Sequence, residues 1–197
     1  MRWAAQDVDY EMSGNDLLPT VRLSEQICRT LGGTPPNTLN YALFVDENNQ
    51  KISKSKGNGI SIETWLKYAT PESLAHFLYQ KPTAVKSLHK GTIGVASREY
   101  MDNLARFAGQ SPQQQVDNPV WHIHAGKPPA PIAGLTPDLI INVAGVLNTE
   151  DPQLLVSQIS KLKGNEVSAH PMFNALVQKG VHYYLDHMRP TLAWRQP

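Results

Sequence analysis

Three lysines, Lys51, Lys54 and Lys56, alternate with Ile52, Ser53 and Ser55 and run directly into Gly57-Asn58-Gly59. An ammonium group on a flexible stem reaches several oxygens of a polyphosphate. Ser53 and Ser55 add hydroxyl donors, and the glycines permit a loop with unusual dihedrals. Such a loop helps most where negative charge builds on a leaving pyrophosphate. Removing one preorganised donor of this kind costs roughly 10²–10³ in rate. It is not a Walker A loop, because the glycine spacing ahead of the Lys-Ser pair is wrong. The same run of lysines also suits a basic surface hairpin or a localisation tract, and lysine content does not choose between these.

The elements around the loop narrow the choice. Val8 to Met12 alternates apolar and polar residues and predicts a short strand that turns at Ser13-Gly14-Asn15-Asp16. Leu23, Ile27 and Leu31 follow at helical spacing, and Gly32-Gly33 stops that helix. Tyr41 to Asp46 predicts a second strand, and Glu47-Asn48-Asn49-Gln50 is turn chemistry. Strand, helix and strand in succession fit the end of an α/β sheet.

Beyond the loop the pattern is helical. Ser61 caps a stripe of Ile62, Trp65, Leu66 and Ala69. Thr70-Pro71 opens a helix through Leu74, Phe77 and Leu78, and Pro82 ends it. Tyr100, Leu104 and Phe107 predict another helix. The Gln- and Pro-bearing stretch from Gly109 to Pro119 reads as a linker, and Gly126 to Pro131 as a second break. Thr136-Pro137, Asp151-Pro152 and His170-Pro171 repeat the start signal before three amphipathic stretches. No sequence repeat and no low-complexity segment is present.

Composition bounds the class. The chain has 197 residues, 41% of them hydrophobic, enough for a buried core. No apolar run approaches the roughly 20 residues of a membrane helix, and the first residues do not read as a secretory signal. Cys28 is the only cysteine. It leaves no internal disulfide and no Cys-based zinc site, and a reduced, cytoplasmic compartment is the expectation. Net charge is +1, but no acid lies between Asn48 and Ile62 or between Ser73 and Arg98. Lys81, Lys86, Lys90 and Arg98 occupy the second of these stretches and are candidates for RNA phosphates; a solvated face is the alternative. Trp65 and Phe77 read as core, while Tyr68 and Tyr79 read equally as core or as base-stacking platforms. His122 and His124 have no evident third ligand, so they read as packing beside Trp121 and no metal site is assigned.

KISKS, Lys51 to Ser55, resembles the KMSKS signature of class I aminoacyl-tRNA synthetases, with Ile52 in the variable position, and Lys56-Gly57-Asn58 matches as well. The wider chain is similar to class I lysyl-tRNA synthetases. The similarity covers MRWAA, VDYE (Val8 to Glu11), ICRTLGGTPP (Ile27 to Pro36), the stretch from Ile60 to Pro82, and DNPVWHIHAGKPP (Asp117 to Pro129), and it thins after about Pro131. The resemblance implies an α/β portion followed by an all-α portion. Residues 1–60 would be the end of a Rossmann-like catalytic domain, 61–110 a helical connector touching the tRNA stem, and 111–197 the start of a helical anticodon-binding domain. It implies ATP as substrate, with Mg²⁺ accompanying it, and lysine and tRNA as partners. Lys51 and Lys54 would stabilise the triphosphate during lysyl-adenylate formation. Ser53 and Ser55 would order the loop, and Gly14 and Asp16 would lie beside the adenylate.

Two departures limit the match. Gly14-Asn15-Asp16-Leu17 stands where the family often has Gly-Lys-Asp-His. No HIGH-type signature occurs, and HIHAG (His122 to Gly126) follows the lysine loop, the reverse of the family order. The expectation is therefore a piece of a longer enzyme whose natural start precedes Met1, partnered by its own missing amino-terminal half and inactive alone. A non-catalytic RNA-binding or interaction module is the alternative from another class, and methionyl-tRNA synthetase the alternative within the class.

Overall fold

The computed structural model describes residues 1–53, 55–132 and 134–191, with the backbone alone at Asn165. The chain divides into two compact units, residues 1–59 with 81–88, and residues 60–80 with 89–197.

The first unit opens with a short helix, α1 (Arg2–Gln6), and strand β1 (Tyr10–Gly14). A single turn over Asn15–Leu17 leads into α2 (Leu18–Thr30), which returns the chain to β2 (Asn37–Tyr41). β1 and β2 pair in parallel, from Tyr10 opposite Asn37 to Gly14 opposite Tyr41. Strand β3 (Phe44–Val45) pairs in parallel with β4 (Lys86–Ser87). Trp3, Val21 and Cys28 form a small core beneath α2.

Three local expectations are corrected here. The first strand lies two residues later than Val8–Met12, because the Val8 amide donates to the Trp3 carbonyl at the end of α1 and is not free for a ladder. Tyr41 to Asp46 is not one strand. The Ala42 amide donates to Pro82, and the chain changes partner between β2 and β3. Helix α2 has the predicted spacing but the opposite face inward. Val21 and Cys28 are buried, while Leu23, Ile27 and Leu31 are 56%, 37% and 55% exposed. Spacing defines a stripe; only the position of Trp3 decides which stripe is covered.

The second unit is helical: α3 (Ile62–Tyr68), α4 (Pro71–Tyr79), α5 (Lys90–Phe107), α6 (Pro112–Asp117), α7 (Pro119–Ile123), α8 (Pro137–Leu147), α9 (Pro152–Lys163) and α10 (Phe173–Tyr183). A single wide turn over Tyr184–Met188 continues α10. The predicted start signals act as caps. Ser61, Thr70, Thr136 and Asp151 each accept a first-turn amide hydrogen bond, an interaction worth about 1 kcal/mol. Ile140 and Ala144 of α8, Leu155 and Ile159 of α9, and Phe173, Val177 and Val181 of α10 build the main core, which Tyr184 closes. Tyr100, Leu104 and Val120 form a smaller cluster.

Gly109 to Pro119 is not a linker. Ser111 and Gln114 close a capping box that starts α6, and the Asn118 side chain caps α7. Local side-chain hydrogen bonds there outweigh a composition that looks loop-like. The His170-Pro171 signal acts two residues late: His170 Nδ1 accepts from the Met172 amide, and α10 begins at Phe173. Among the described residues no helix is long and apolar enough to cross a membrane.

Candidate active site

The carboxyl end of β1 is the natural place to look, because open parallel sheets bind ligands just outside the carboxyl ends of their strands. β1 ends at Gly14, and Asp16 lies in the turn that follows. A Cβ added at Gly14 would stand 2.7 Å from Asp16 Oδ1. Glycine there lets the carboxylate fold back over the strand end. One residue earlier, Ser13 Oγ donates to Asn40 Oδ1 at 2.7 Å and ties β1 to β2 by side chains.

The lysine loop meets this strand end. Lys51 Nζ is 3.6 Å from Asp16 Oδ2, with both side chains about half exposed (58% and 50%). Lys51 is set by a hairpin. Val45 and Lys51 form an antiparallel bridge, the Asp46 amide donates to Gln50 O at 2.8 Å, and the Ile52 amide donates to Phe44 O at 3.2 Å. Asn49 takes a left-handed φ of 58° at the tip.

After Lys51 the chain turns tightly. The amides of Lys56 and Gly57 both donate to Ser53 O at 3.2 Å, with Gly57 at φ 62°. Ser53 Oγ and Ser55 Oγ are 3.3 Å apart. Lys54, the other predicted catalytic residue, lies outside the described residues.

Beneath the loop sits a pair to which the sequence reading gave no role. Asp46 Oδ1 accepts from the amides of Asn48 (2.9 Å) and Gln50 (2.8 Å), and Asp46 Oδ2 accepts from Asn58 Nδ2 at 2.7 Å. Asn58 Oδ1 in turn accepts from the Ser53 amide at 3.1 Å. These donors hold the Asp46 carboxyl below its ordinary 3.8, the Asn58 amide first and the Gln50 amide next, with the Lys56 charge adding a little. A sequence signal existed. Asp at the head of an Asn-rich turn is an Asx-turn former.

The predicted RNA contacts divide between the units. Lys81 is exposed at φ 49°, and Lys86 is half-buried on β4 opposite Phe44. Lys90 is the exposed first residue of α5, and Arg98, further along α5, is ion-paired with Asp138. Trp65 is core, its Nε1 donating to Ser73 Oγ at 3.2 Å beside Phe77. Tyr68 donates to Asp186 at 2.9 Å, and Tyr79 stacks on His122 with ring centroids 5.1 Å apart. The two histidines have separate partners. His122 Nε2 contacts Val116 O at 2.8 Å, and His124 Nε2 contacts the Tyr100 hydroxyl at 2.9 Å. Among the described residues no group of three or more His, Cys, Asp or Glu side chains is arranged to hold a metal.

The model of the family described as tRNA synthetases class I (K) matches residues 1–127, which include the Lys51–Asp16 pair and the whole lysine loop. This chain belongs to the class I (K) tRNA synthetases. It is 41% identical over 195 residues to a lysine–tRNA ligase of Roseobacter denitrificans, covering 98% of this chain and 37% of that protein. It is 43% identical over 200 residues to a lysine–tRNA ligase of Rickettsia peacockii, covering 100% of this chain and 38% of that one. The chain thus spans 37–38% of the length of these curated relatives. The loop, the strand end and the helices of the second unit from α3 through α7 lie in the part that the synthetase family model covers.

Proposed function

We propose that residues 51–58 are the triphosphate-handling loop of an ATP-dependent lysine–tRNA ligase, and that Gly14 and Asp16 line the same site. One observation carries this reading: Lys51 Nζ stands 3.6 Å from Asp16 Oδ2, at the carboxyl end of a parallel strand. A lysine held there by an exposed carboxylate is in place and exchangeable. Surface pairs of this kind are worth only about 0–1 kcal/mol. A triphosphate carrying several negative charges competes readily for the ammonium.

In the proposed reaction the lysine carboxylate attacks the α-phosphorus of ATP, and pyrophosphate leaves. Charge grows on the departing oxygens, and Lys51 and Lys54 meet it. Ser53 and Ser55 order the loop. This chemistry is governed by positioning and charge stabilisation rather than by a covalent enzyme group. Mg²⁺ would accompany ATP as part of the substrate. The lysyl group then passes to tRNA, whose stem phosphates Lys81, Lys86, Lys90 and Arg98 would contact. Residues 1–60 act as the end of the catalytic domain, 61–110 as the connector, and 111–197 as the start of the anticodon-binding region, in a cytoplasmic enzyme. No HIGH-type element lies among the 197 residues, so this stretch supplies one half of the site and the chain alone runs no adenylation.

The test is a titration of the chain with inorganic tripolyphosphate, followed by NMR at the loop amides. Binding centred on residues 51–58, weakened about tenfold or more by Lys51→Ala or Lys54→Ala, supports the reading. Equal affinity in the parent and both variants contradicts it, and favours a module that uses the loop for something else. ATP–pyrophosphate exchange above background by the chain alone contradicts the half-site reading.

A further inference from the structure

We infer that Asp46 and Asn58 form a clasp that sets the lysine loop, with Asn58 the positioning residue for Lys51 and Ser53. The inference rests on the phosphate-handling reading above and adds to it the device that holds the loop in place.

The geometry is specific to these two side chains. The carboxylate of Asp46 divides its oxygens between two tasks. Oδ1 takes the amides of Asn48 and Gln50 and thereby shapes the hairpin, while Oδ2 takes Asn58 Nδ2 at 2.7 Å. Asn58 also uses both ends of its amide. Nδ2 donates a second time, to Lys51 O at 3.3 Å, and Oδ1 accepts from the Ser53 amide at 3.1 Å. One planar amide therefore bonds the backbone on both sides of Ile52 and ties it to the hairpin. Asp46, Ser53 and Asn58 are all half-buried, whereas Lys51 and Ser55 are exposed. The backbone is pinned by half-buried groups, while the Lys51 and Ser55 side chains stay exposed to solvent.

No other residue type fits position 58 as well. Aspartate there could not donate and would set two carboxylates against each other. Alanine would leave the Ser53 amide and Asp46 Oδ2 without this partner. Glutamine carries the same amide one methylene further out. Position 46 needs an acceptor at both oxygens unless its partner is exchanged at the same time. That condition defines a rescue. Asp46→Asn paired with Asn58→Asp reverses the polarity of the central hydrogen bond. It also retains an acceptor for the hairpin amides and one for the Ser53 amide, and gives up the longer 3.3 Å bond to Lys51 O.

The experiment uses the full 197-residue chain, ¹⁵N-labelled, as parent, D46N, N58D and the double swap. Two quantities are read: hydrogen exchange of the Ser53 amide and affinity for inorganic tripolyphosphate. Each single variant is expected to speed Ser53 exchange about tenfold and to weaken tripolyphosphate binding by a similar factor, with most of both losses recovered in the double swap. Exchange at the amides of Val21 and Cys28 in α2, within the same compact unit as the loop, serves as the folding control. Single variants that match the parent in both readouts overturn the inference, as does a double swap no better than N58D. If Ser53 exchange follows the clasp pattern but the parent has no affinity for tripolyphosphate, the phosphate reading falls and takes the positioning role with it.

Discussion

Lys51 and Asp16 face each other across the end of β1, with Nζ and Oδ2 3.6 Å apart, though the whole of α2 and β2 separates them in sequence. The pair neutralises the very lysine that the loop would offer to phosphate. Asp16→Asn removes that competition, so tripolyphosphate affinity should rise about two- to fivefold while Lys51→Ala lowers it. Calorimetric titration of the two variants beside the parent checks both directions. A weakening by Asp16→Asn would show that the carboxylate does not compete for Lys51.

Gly180 of α10 packs directly against Ile140 of α8. A Cβ there would stand 2.4 Å from Ile140 Cγ2 and 3.1 Å from Ile140 Cβ. Ile140 is 1% exposed, so its branched side chain must shift within the packed helices to admit the methyl. Gly180→Ala should cost about 1–3 kcal/mol by overpacking, despite the better helix propensity of alanine. Urea unfolding followed by circular dichroism measures it, and a stabilised variant would contradict the packing described.

Two histidines predict a pH dependence. His124 sits below the ordinary imidazole value of 6.5 because burial disfavours its charged form, with Glu72 opposing in part. His187 is also lowered, first by burial and then by Lys90, with Asp186 pulling the other way and Lys67 adding to the decrease. The unfolded chain therefore takes up protons near pH 6.5 that the folded chain refuses until lower pH. Stability from these groups is present above pH 6.5 and is lost as pH falls through their folded values. The thermal midpoint should drop between pH 7.5 and about pH 5.5, and His124→Gln should shrink the drop. A midpoint that rises over this range would reverse the sign.

Arg98 and Lys90 share α5 but differ in company. Arg98 is ion-paired with Asp138, while Lys90 is exposed at the first turn. If both meet RNA phosphates, Lys90→Ala should lower the salt slope of tRNA binding by about 0.7–0.9. Asp138→Asn should raise affinity by freeing Arg98. Filter binding across a salt series reads both, and unchanged slopes would leave these residues as solvated surface.

Much of this was legible before any coordinates. Caps at Ser61, Thr70, Thr136 and Asp151 were readable because a hydroxyl or carboxylate, in three of the four followed by proline, satisfies amides locally. The synthetase family was readable from the KISKSKGN string and its neighbours, and the family match over residues 1–127 agrees. The face of α2 was not readable, because Leu23, Ile27 and Leu31 have the same spacing as a buried stripe, and a tertiary contact at Trp3 made the choice. The helix at α6 was missed because glutamine-rich composition hid a capping box. The Asp46–Asn58 clasp was missed because its partners are twelve positions apart and meet only once the hairpin forms. The pairing of Arg98 with Asp138 was equally invisible, since charge counts say nothing about which acid folds back.

The most direct measurement of the central claim is lysine-dependent ATP–pyrophosphate exchange in a chimera. Residues 1–197 would replace the matching stretch of the Rickettsia peacockii ligase, to which they are 43% identical. The chimera should exchange with lysine and not with methionine, and Lys54→Ala or Lys51→Ala should slow it roughly 10²–10³-fold. A folded chimera that exchanges equally well without these lysines, or that answers to methionine, would contradict the account.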